Sequence, residues 1–373
     1  MNNFLLATCE FLLLISIFQT NIAEASSSKI DSFKATPPIH NLGMTTASPA
    51  GMTPTNIKSA YHLPSSGGQG TIAIIAAYDD GVLEKDLAAF SKQFNLPSCT
   101  SINNCFEKVK LSPNTSSNKD WSLEKALDIE WAHAIAPQAK ILLVEAENAS
   151  GSNLLKAIDY ARARKDVVAI SISWGGREFQ GETELDSHFI SQYGAAFFAS
   201  SGDSGAGVSW PSVSKNVVAV GGTTLHLSAS TGSVLSEQAW SGSGGGISSF
   251  ETQPDYQKNY DVLKSRGMRA VPDVSYNADP RYGFSVYHNT GTGKKNWYVL
   301  GGTSAGAPQW AAIHSLGLSA TLSNLYGDKA SANNNNYFRD IKSGSNGTCA
   351  YYCDARSHYD FVTGLGSPLT FKF

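Results

Sequence analysis

Through the middle of the chain, unbroken apolar runs rich in β-branched residues alternate with stretches of helical period. TIAIIAAY (71–78) is followed by KDLAAFSKQF (85–94), and AKILLVEA (139–146) by SNLLKAIDYARAR (152–164). Then come VVAISIS (167–173), AAFFASS (195–201) and VVAVGGTTL (217–225). Continuous runs of this kind predict strands covered on both faces, with helices as crossovers. The fold class is therefore α/β, a central, mostly parallel β-sheet flanked by helices in three layers. Past Thr223 the helical signal thins until SAGAPQWAAIHSLGLSATL (304–322), which reads as one helix entered directly from Ser304. Residues 26–55 are rich in Ser, Thr, Pro and Ala without a period, so they read as a linker or a loosely docked arm. The folded unit is expected over 56–373, and no internal repeat is visible.

Composition narrows the partners. A net charge of −3, with no Lys/Arg run, leaves no footprint for nucleic acid. The N-terminal apolar stretch ends near Ala23-Glu24-Ala25, a small-residue cleavage pattern that predicts a signal peptide over 1–25. Against it, the stretch has no preceding Lys or Arg and is interrupted by Glu10, which leaves an uncleaved anchor as the alternative. No later segment is apolar enough to cross a membrane. Of the 5 cysteines, Cys9 falls in that leader, and the rest form two local pairs, Cys99 with Cys105 and Cys349 with Cys353. Two short-loop disulfides suit an oxidising compartment, whereas a zinc site would need histidines at ligand spacing that the sequence does not supply.

The candidate nucleophile is Ser304 in GGTSAGAPQWAA, where Ala305, Gly306 and Ala307 keep space around the hydroxyl. Pro308 fits a first helical turn, and the N–H groups at such an end favour developing negative charge. A packing motif of small residues is the plainer reading. A serine hydroxyl needs a base within hydrogen-bond reach. None of the 8 histidines opens an H-G-T segment, and the nearest, His133, reads as a surface residue at a helix end. Just before it, WSLEKALDIEWAHAIAP places Glu124 and Asp128 one turn apart on one helical face. Such a pair is either solvated or shares a proton, and a shared proton holds one carboxyl as a base in acid. A third acid, Asp203 in SSGDSG, lies where a parallel strand ends, either at a site or bonding its own turn.

Together these segments resemble the sedolisin family of serine-carboxyl peptidases, which share the subtilisin-like fold and replace its histidine with glutamate. The likeness runs from about Thr53 to the C-terminus. It rests on the order of AYHLPSSGGQGTIAIIAAY, the E-x-x-x-D helix with AIAPQA, ISISWGG, SSGDSG, WPSVSKNVVAVGGTTL, GGGISSF, VPDVSYNADP, GGTSAGAP and DFVTGLGSP. The resemblance implies Ser304 as nucleophile, Glu124 as its general base, Asp128 as the partner that orients Glu124, and Asp203 in the oxyanion hole. Asp203 can serve there only when neutral, since a carboxylic acid donates a hydrogen bond to an oxyanion and a carboxylate repels it. Activity is then expected at roughly pH 3 to 5.

The same resemblance implies substrate contacts at Ser173, Trp174 and Gly175 and at the facing Ser150, Gly151 and Ser152, with Trp174 alternatively a core aromatic. It implies one structural Ca2+, held by the carboxylates of Asp340 and Asp360 and the carbonyls of Ile341, Arg356 and His358. Arg356-Ser357-His358 departs from the Gly-x-Gly-like turn usual there. Family members also carry a long folded prosegment, whereas about thirty residues separate Ala25 from the catalytic unit here. That length predicts unaided folding, a separate chaperone chain, or an inactive protein. The expectation is a secreted monomer, exported to an acidic or oxidising compartment, that cuts peptides or denatured proteins as an endopeptidase or tripeptidyl-peptidase. A peptidase-like binding protein, and a Ser-His-Asp subtilase using Asp80 and His133, are the competing readings.

Overall fold

An apolar run without alternation must be covered on both sides, and Thr71–Ala77 is buried at every position. The computed structural model describes residues 29–113, 115–290, 296–327 and 337–369. The leader over 1–25 lies outside these. Along the chain the strands are β1 (His40–Thr46), β2 (Thr71–Ala77), β3 (Phe106–Lys110), β4 (Lys140–Ala146), β5 (Val167–Ile172), β6 (Ala196–Ser200) and β7 (Val217–Leu227). They continue as β8 (Val234–Ala239), β9 (Gly246–Thr252), β10 (Met268–Val271), β11 (Val274–Asn277), β12 (Phe284–Tyr287) and β13 (Trp297–Gly301). The central sheet has the order β3-β4-β2-β5-β6-β7-β11. All those neighbours run parallel. β8 pairs antiparallel with the second half of β7, from Thr223 to Leu227.

The crossover helices are Leu83–Gln93, Lys119–Ile135 and Gly151–Arg162. Lys119–Ile135 begins at Asn118, whose side chain accepts from the N–H groups of Asp120 and Trp121. From Trp121 to Ile135 every residue is buried, so this helix lies inside the molecule rather than on it. It packs against the helix Gly306–Ser315, which in turn lies on β5 and β6. That second helix is shorter than the sequence implies. A 3-10 turn over Thr303–Ala305 precedes it, and it ends at Ser315 because Gly317 turns left-handed at φ +90°.

Residues 29–55 form a docked arm. Ile30 and Ala35 are buried in the core cluster, and β1 pairs antiparallel with β13 in a sheet completed by β12. Both cysteine pairs are joined as disulfides, Cys99–Cys105 and Cys349–Cys353. The ring of His133 sits beside the first, whose sulfurs are bonded to each other rather than offered to a metal. Among the described residues no helix is long and apolar enough to cross a membrane.

Candidate active site

A helix that buries five ionisable side chains must give each a partner or leave it poised. Four of those on Lys119–Ile135 are partnered. Lys125 Nζ donates to Glu145 Oε1 and to the Tyr78 carbonyl, both at 2.7 Å. Glu130 Oε2 accepts from the Tyr287 N–H at 3.0 Å, and His133 Nε2 lies 2.9 Å from the Pro97 carbonyl. Asp128 Oδ1 accepts from the Ser173 hydroxyl at 2.7 Å. Glu124 is the exception, since both its carboxyl oxygens are buried without a hydrogen-bond partner among the described residues.

The group beside it is the Ser304 hydroxyl, itself buried and without a directed bond. The two lie close enough for Ser304 to favour the ionised carboxylate, although no well-aligned hydrogen bond joins them. Burial first, and then the neighbouring Asp128, hold the Glu124 carboxyl well above its ordinary range. Burial raises Asp128 as well, opposed by the hydrogen bond from Ser173 and by the adjoining Glu124 carboxyl. Two adjoining buried carboxyls lose their protons in separate steps, and between those steps the pair holds one proton.

Asp203 follows β6 and reaches the same place. Its Oδ1 accepts from the Thr303 N–H and hydroxyl, each at 2.8 Å, and its Oδ2 lies 3.2 Å from His40 Nε2. Burial raises its pKa, while His40 and Thr303 pull it down. Between Asp203 and Ser304 the chain turns at Gly302, with φ +121°. A Cβ there would come 2.5 Å from Asp203 Oδ2 and 2.2 Å from the Pro38 carbonyl oxygen, so only glycine fits. Ser304, Glu124, Asp128 and Asp203 thus converge from a strand-to-helix turn, a helix and a loop far apart in sequence.

The facing segments lie where the sequence suggests, but part of the cleft between them is filled by the arm. Thr36 exchanges two backbone hydrogen bonds with Gly175, at 3.1 and 3.2 Å. The Ala35 N–H donates to the Ala149 carbonyl at 2.9 Å, and the Gly151 N–H donates to the Phe33 carbonyl at 3.1 Å. The arm is therefore an antiparallel strand between the Ser150 and Gly175 edges. On one side of it opens a cavity of about 580 Å³ whose walls include Pro38, His40, Arg177, Asp203 and Gly244. On the other lies one of about 490 Å³, bordered by Lys34, Asn118, Asp120, Trp121 and Leu123.

Three expectations change. The Trp174 side chain is fully buried, its indole N–H donating 2.9 Å to the Ile75 carbonyl and its ring against Trp210, so it serves the core and not the cleft. The Ser173 hydroxyl bonds Asp128 and the Ser304 carbonyl, which makes it a support of the carboxyl pair. His133 is neither at the surface nor near the nucleophile, because burial against Pro97 fixes it at the far end of its helix. With Asp80 instead accepting from the Val82 N–H, no Ser-His-Asp arrangement forms. Ser152 sits half-buried in the first turn of Gly151–Arg162. Thr303 and His40 escaped the sequence reading. Thr303 had the signal of flanking the nucleophile, but nothing in the sequence pointed to His40.

Near the C-terminus, Asp340 and Asp360 grip one turn. Both Asp340 oxygens accept from the His358 N–H, at 3.0 and 3.2 Å, and Asp360 Oδ2 accepts from the Arg356 N–H at 3.1 Å. Asp360 is buried, and its carboxyl is pushed up to about 7 by that burial. His358 takes φ +68°, the left-handed conformation that glycine usually supplies. Ile341 is buried beside Asp340.

Known proteins place this geometry. The subtilase family model matches residues 111–333. Kumamolisin from Bacillus sp. (strain MN-32) is 31% identical over 366 residues, covering 87% of this chain and 63% of its own length. Sedolisin from Pseudomonas sp. (strain 101) is 26% identical, covering 85% of this chain and 60% of its own length. The chain thus spans about three fifths of these relatives. The structure of Pseudomonas sedolisin, a serine-carboxyl proteinase complexed with pseudo-iodotyrostatin, superposes with a TM-score of 0.72 at 26% identity. That superposition covers 87% of this chain and 96% of sedolisin. The chain belongs to the subtilase family and, within it, to the sedolisin branch.

Proposed function

We propose that this protein is a serine-carboxyl peptidase, hydrolysing peptide bonds at acidic pH through Ser304, Glu124 and Asp128, with Asp203 in the oxyanion hole. The observation that carries this reading is the burial of Glu124 beside Ser304, both without other partners. Glu124 takes the hydroxyl proton as Ser304 attacks the substrate carbonyl, so the singly protonated Glu124–Asp128 pair becomes neutral and the negative charge passes to the oxyanion. Neutral Asp203 donates to the tetrahedral oxyanion, and Glu124 then returns the proton to the leaving amine. Hydrolysis of the acyl-enzyme repeats these steps with water.

Substrate binds as an extended strand between the edges at Ser150-Gly151 and Gly175, through main-chain bonds of the kind the arm makes there. One Ca2+ is proposed at the C-terminal turn. The hard oxygens of Asp340 and Asp360, with the carbonyls of Ile341, Arg356 and His358, would hold it. The carboxylate and carbonyl oxygens gathered at this one turn are the hard donors that suit such an ion. Such an ion would brace the turn and take no part in the chemistry. The disulfides favour export to an oxidising compartment.

Digestion of a denatured protein at pH 4 and pH 7.5, beside Ser304→Ala and Glu124→Gln, tests the reading. Cleavage at pH 4 by the parent alone is expected. Equal behaviour of all three would favour a peptidase-like binding protein instead. Product masses from one long peptide would separate internal cuts from three-residue steps at the amino end.

A further inference from the structure

The arm does more than fill part of the cleft. After Thr36 it runs through Pro37 and Pro38 to His40, whose imidazole reaches Asp203. Asp203 Oδ1 already accepts twice from Thr303, so a proton on this carboxyl belongs on Oδ2. His40 Nε2 stands 3.2 Å from Oδ2, an ion-pair contact without an aligned hydrogen bond. A protonated imidazole and a protonated Oδ2 at that distance each present hydrogen to the other. The docked arm therefore suits Asp203 as a carboxylate, the form that cannot assist an oxyanion.

We propose that His40 is a latch: its contact with ionised Asp203 holds residues 33–40 in the cleft, and protonation of Asp203 releases them. This rests on the role given to Asp203 above. It extends that role by making one proton both open the cleft and arm the oxyanion hole. The groups around the pair are few. The edge of Trp240 lies against the His40 ring at 5.6 Å, Glu124 acts on Asp203 from the buried helix, and Arg177 stands on the wall of the shared cavity. Lys34 and Asp120 border the opposite cavity.

The sign follows from linkage. His40 lowers the Asp203 pKa, so docking gains from that pair above it and loses the gain as pH falls through it. Asp203 raises the His40 pKa, so the same gain fades again as pH rises through that value. Docking is thus strongest between the two.

Amide hydrogen exchange at Ala35 and Thr36 reads docking without any turnover. The measurement uses the full chain carrying Ser304→Ala, at about pH 6 and about pH 3.5, each rate divided by its intrinsic value. Protection should be about tenfold greater at the higher pH, the factor for one unit of linked pKa change. His40→Gln should remove that tenfold at the higher pH and change little at the lower, and Asp203→Asn should abolish the pH dependence. Equal protection at both pH values in the Ser304→Ala chain, or parent-like behaviour of either added variant, overturns the latch. Should protection follow the expectation while the wild-type chain digests nothing in acid, the peptidase reading fails and the latch stands. Acid digestion with a pH-independent arm has the opposite meaning.

Discussion

Asp273 and Glu124 are both buried, at 0% and 1% exposure, and their surroundings could hardly differ more. Asp273 accepts from both Arg269 terminal nitrogens, at 2.7 and 2.5 Å, from the Tyr326 hydroxyl at 2.6 Å, and from the Ala219 N–H at 2.8 Å. Each of its oxygens is satisfied twice, and the cation beside it is itself fully buried. Glu124 has no cation and no completed hydrogen bond, only a second carboxyl and a hydroxyl. Burial is costly in both places. At Asp273 the cost is offset by bonds that lock β7 to the Met268–Asn277 segment, whereas at Glu124 no bond among the described residues offsets it. Full satisfaction at Asp273 is what a structural charge requires, whereas Glu124 is left with neither oxygen bonded beside a serine hydroxyl.

The comparison predicts opposite responses to isosteric change. Glu124→Gln should lower kcat/KM at pH 4 by about ten-thousand-fold, as for removal of a group acting in concert with the nucleophile. It should leave the unfolding midpoint unchanged or raised, since a buried ionisable group is replaced by a neutral one. A collapse of the far-UV circular dichroism in that variant would break the distinction. Asp273→Ala should do the reverse, costing about 3–5 kcal/mol in urea unfolding by stranding the Arg269 charge. A soluble, fully stable Asp273→Ala protein would show that the ion pair is not what ties those segments.

A third site sharpens the point for stability. Glu182 and Glu251 are raised to about 9 and about 8, mainly by burial, with Glu178 and Asp186 as their respective carboxyl partners. Folded pKa values above the unfolded ones mean that their stabilising contribution is complete below the ordinary glutamate value of 4.5 and is lost as pH rises through 8 and 9. The thermal midpoint should therefore be highest near pH 4 and fall toward pH 9, and Glu182→Gln should flatten that fall. A midpoint that rises from pH 4 to pH 8 would contradict the placement of these carboxyls.

Most of the fold was legible because periodicity reports burial. The runs at 71–78, 139–146 and 167–173 became adjacent parallel strands, since a mostly apolar segment without alternation has no polar face to offer water. The carboxyl spacing at Glu124 and Asp128 was legible too, since one helical turn fixes it. What the sequence hid were contacts made across the chain. His40 meets Asp203 over a long separation, and no local pattern encodes that. Trp174 sits in a motif at the cleft edge, yet its indole N–H bonds the Ile75 carbonyl and its ring lies in the core against Trp210. The arm lacks any period because its partners are the backbones of two loops, and backbone pairing leaves no compositional trace.

The smallest predicted effect falls between the two kinds of carboxyl. Asp128 belongs to the reactive pair but has one structural bond, the 2.7 Å hydrogen bond from Ser173. That donor favours the ionised form of Asp128 and so makes it easier for the pair to lose its first proton. In Ser173→Ala the pair should hold that proton to higher pH. The acid limb of the kcat/KM profile should move up by about one pH unit, while the alkaline limb, which the proposed oxyanion role assigns to Asp203, stays in place. Ser173→Thr keeps a hydroxyl and should restore the limb if its rotamer allows the same bond. The maximum should drop only a few-fold, because Glu124 and Ser304 are untouched. An acid limb that does not move in Ser173→Ala would mean that Asp128 is held by its burial alone, and that the bond from Ser173 positions the backbone at Gly175 instead.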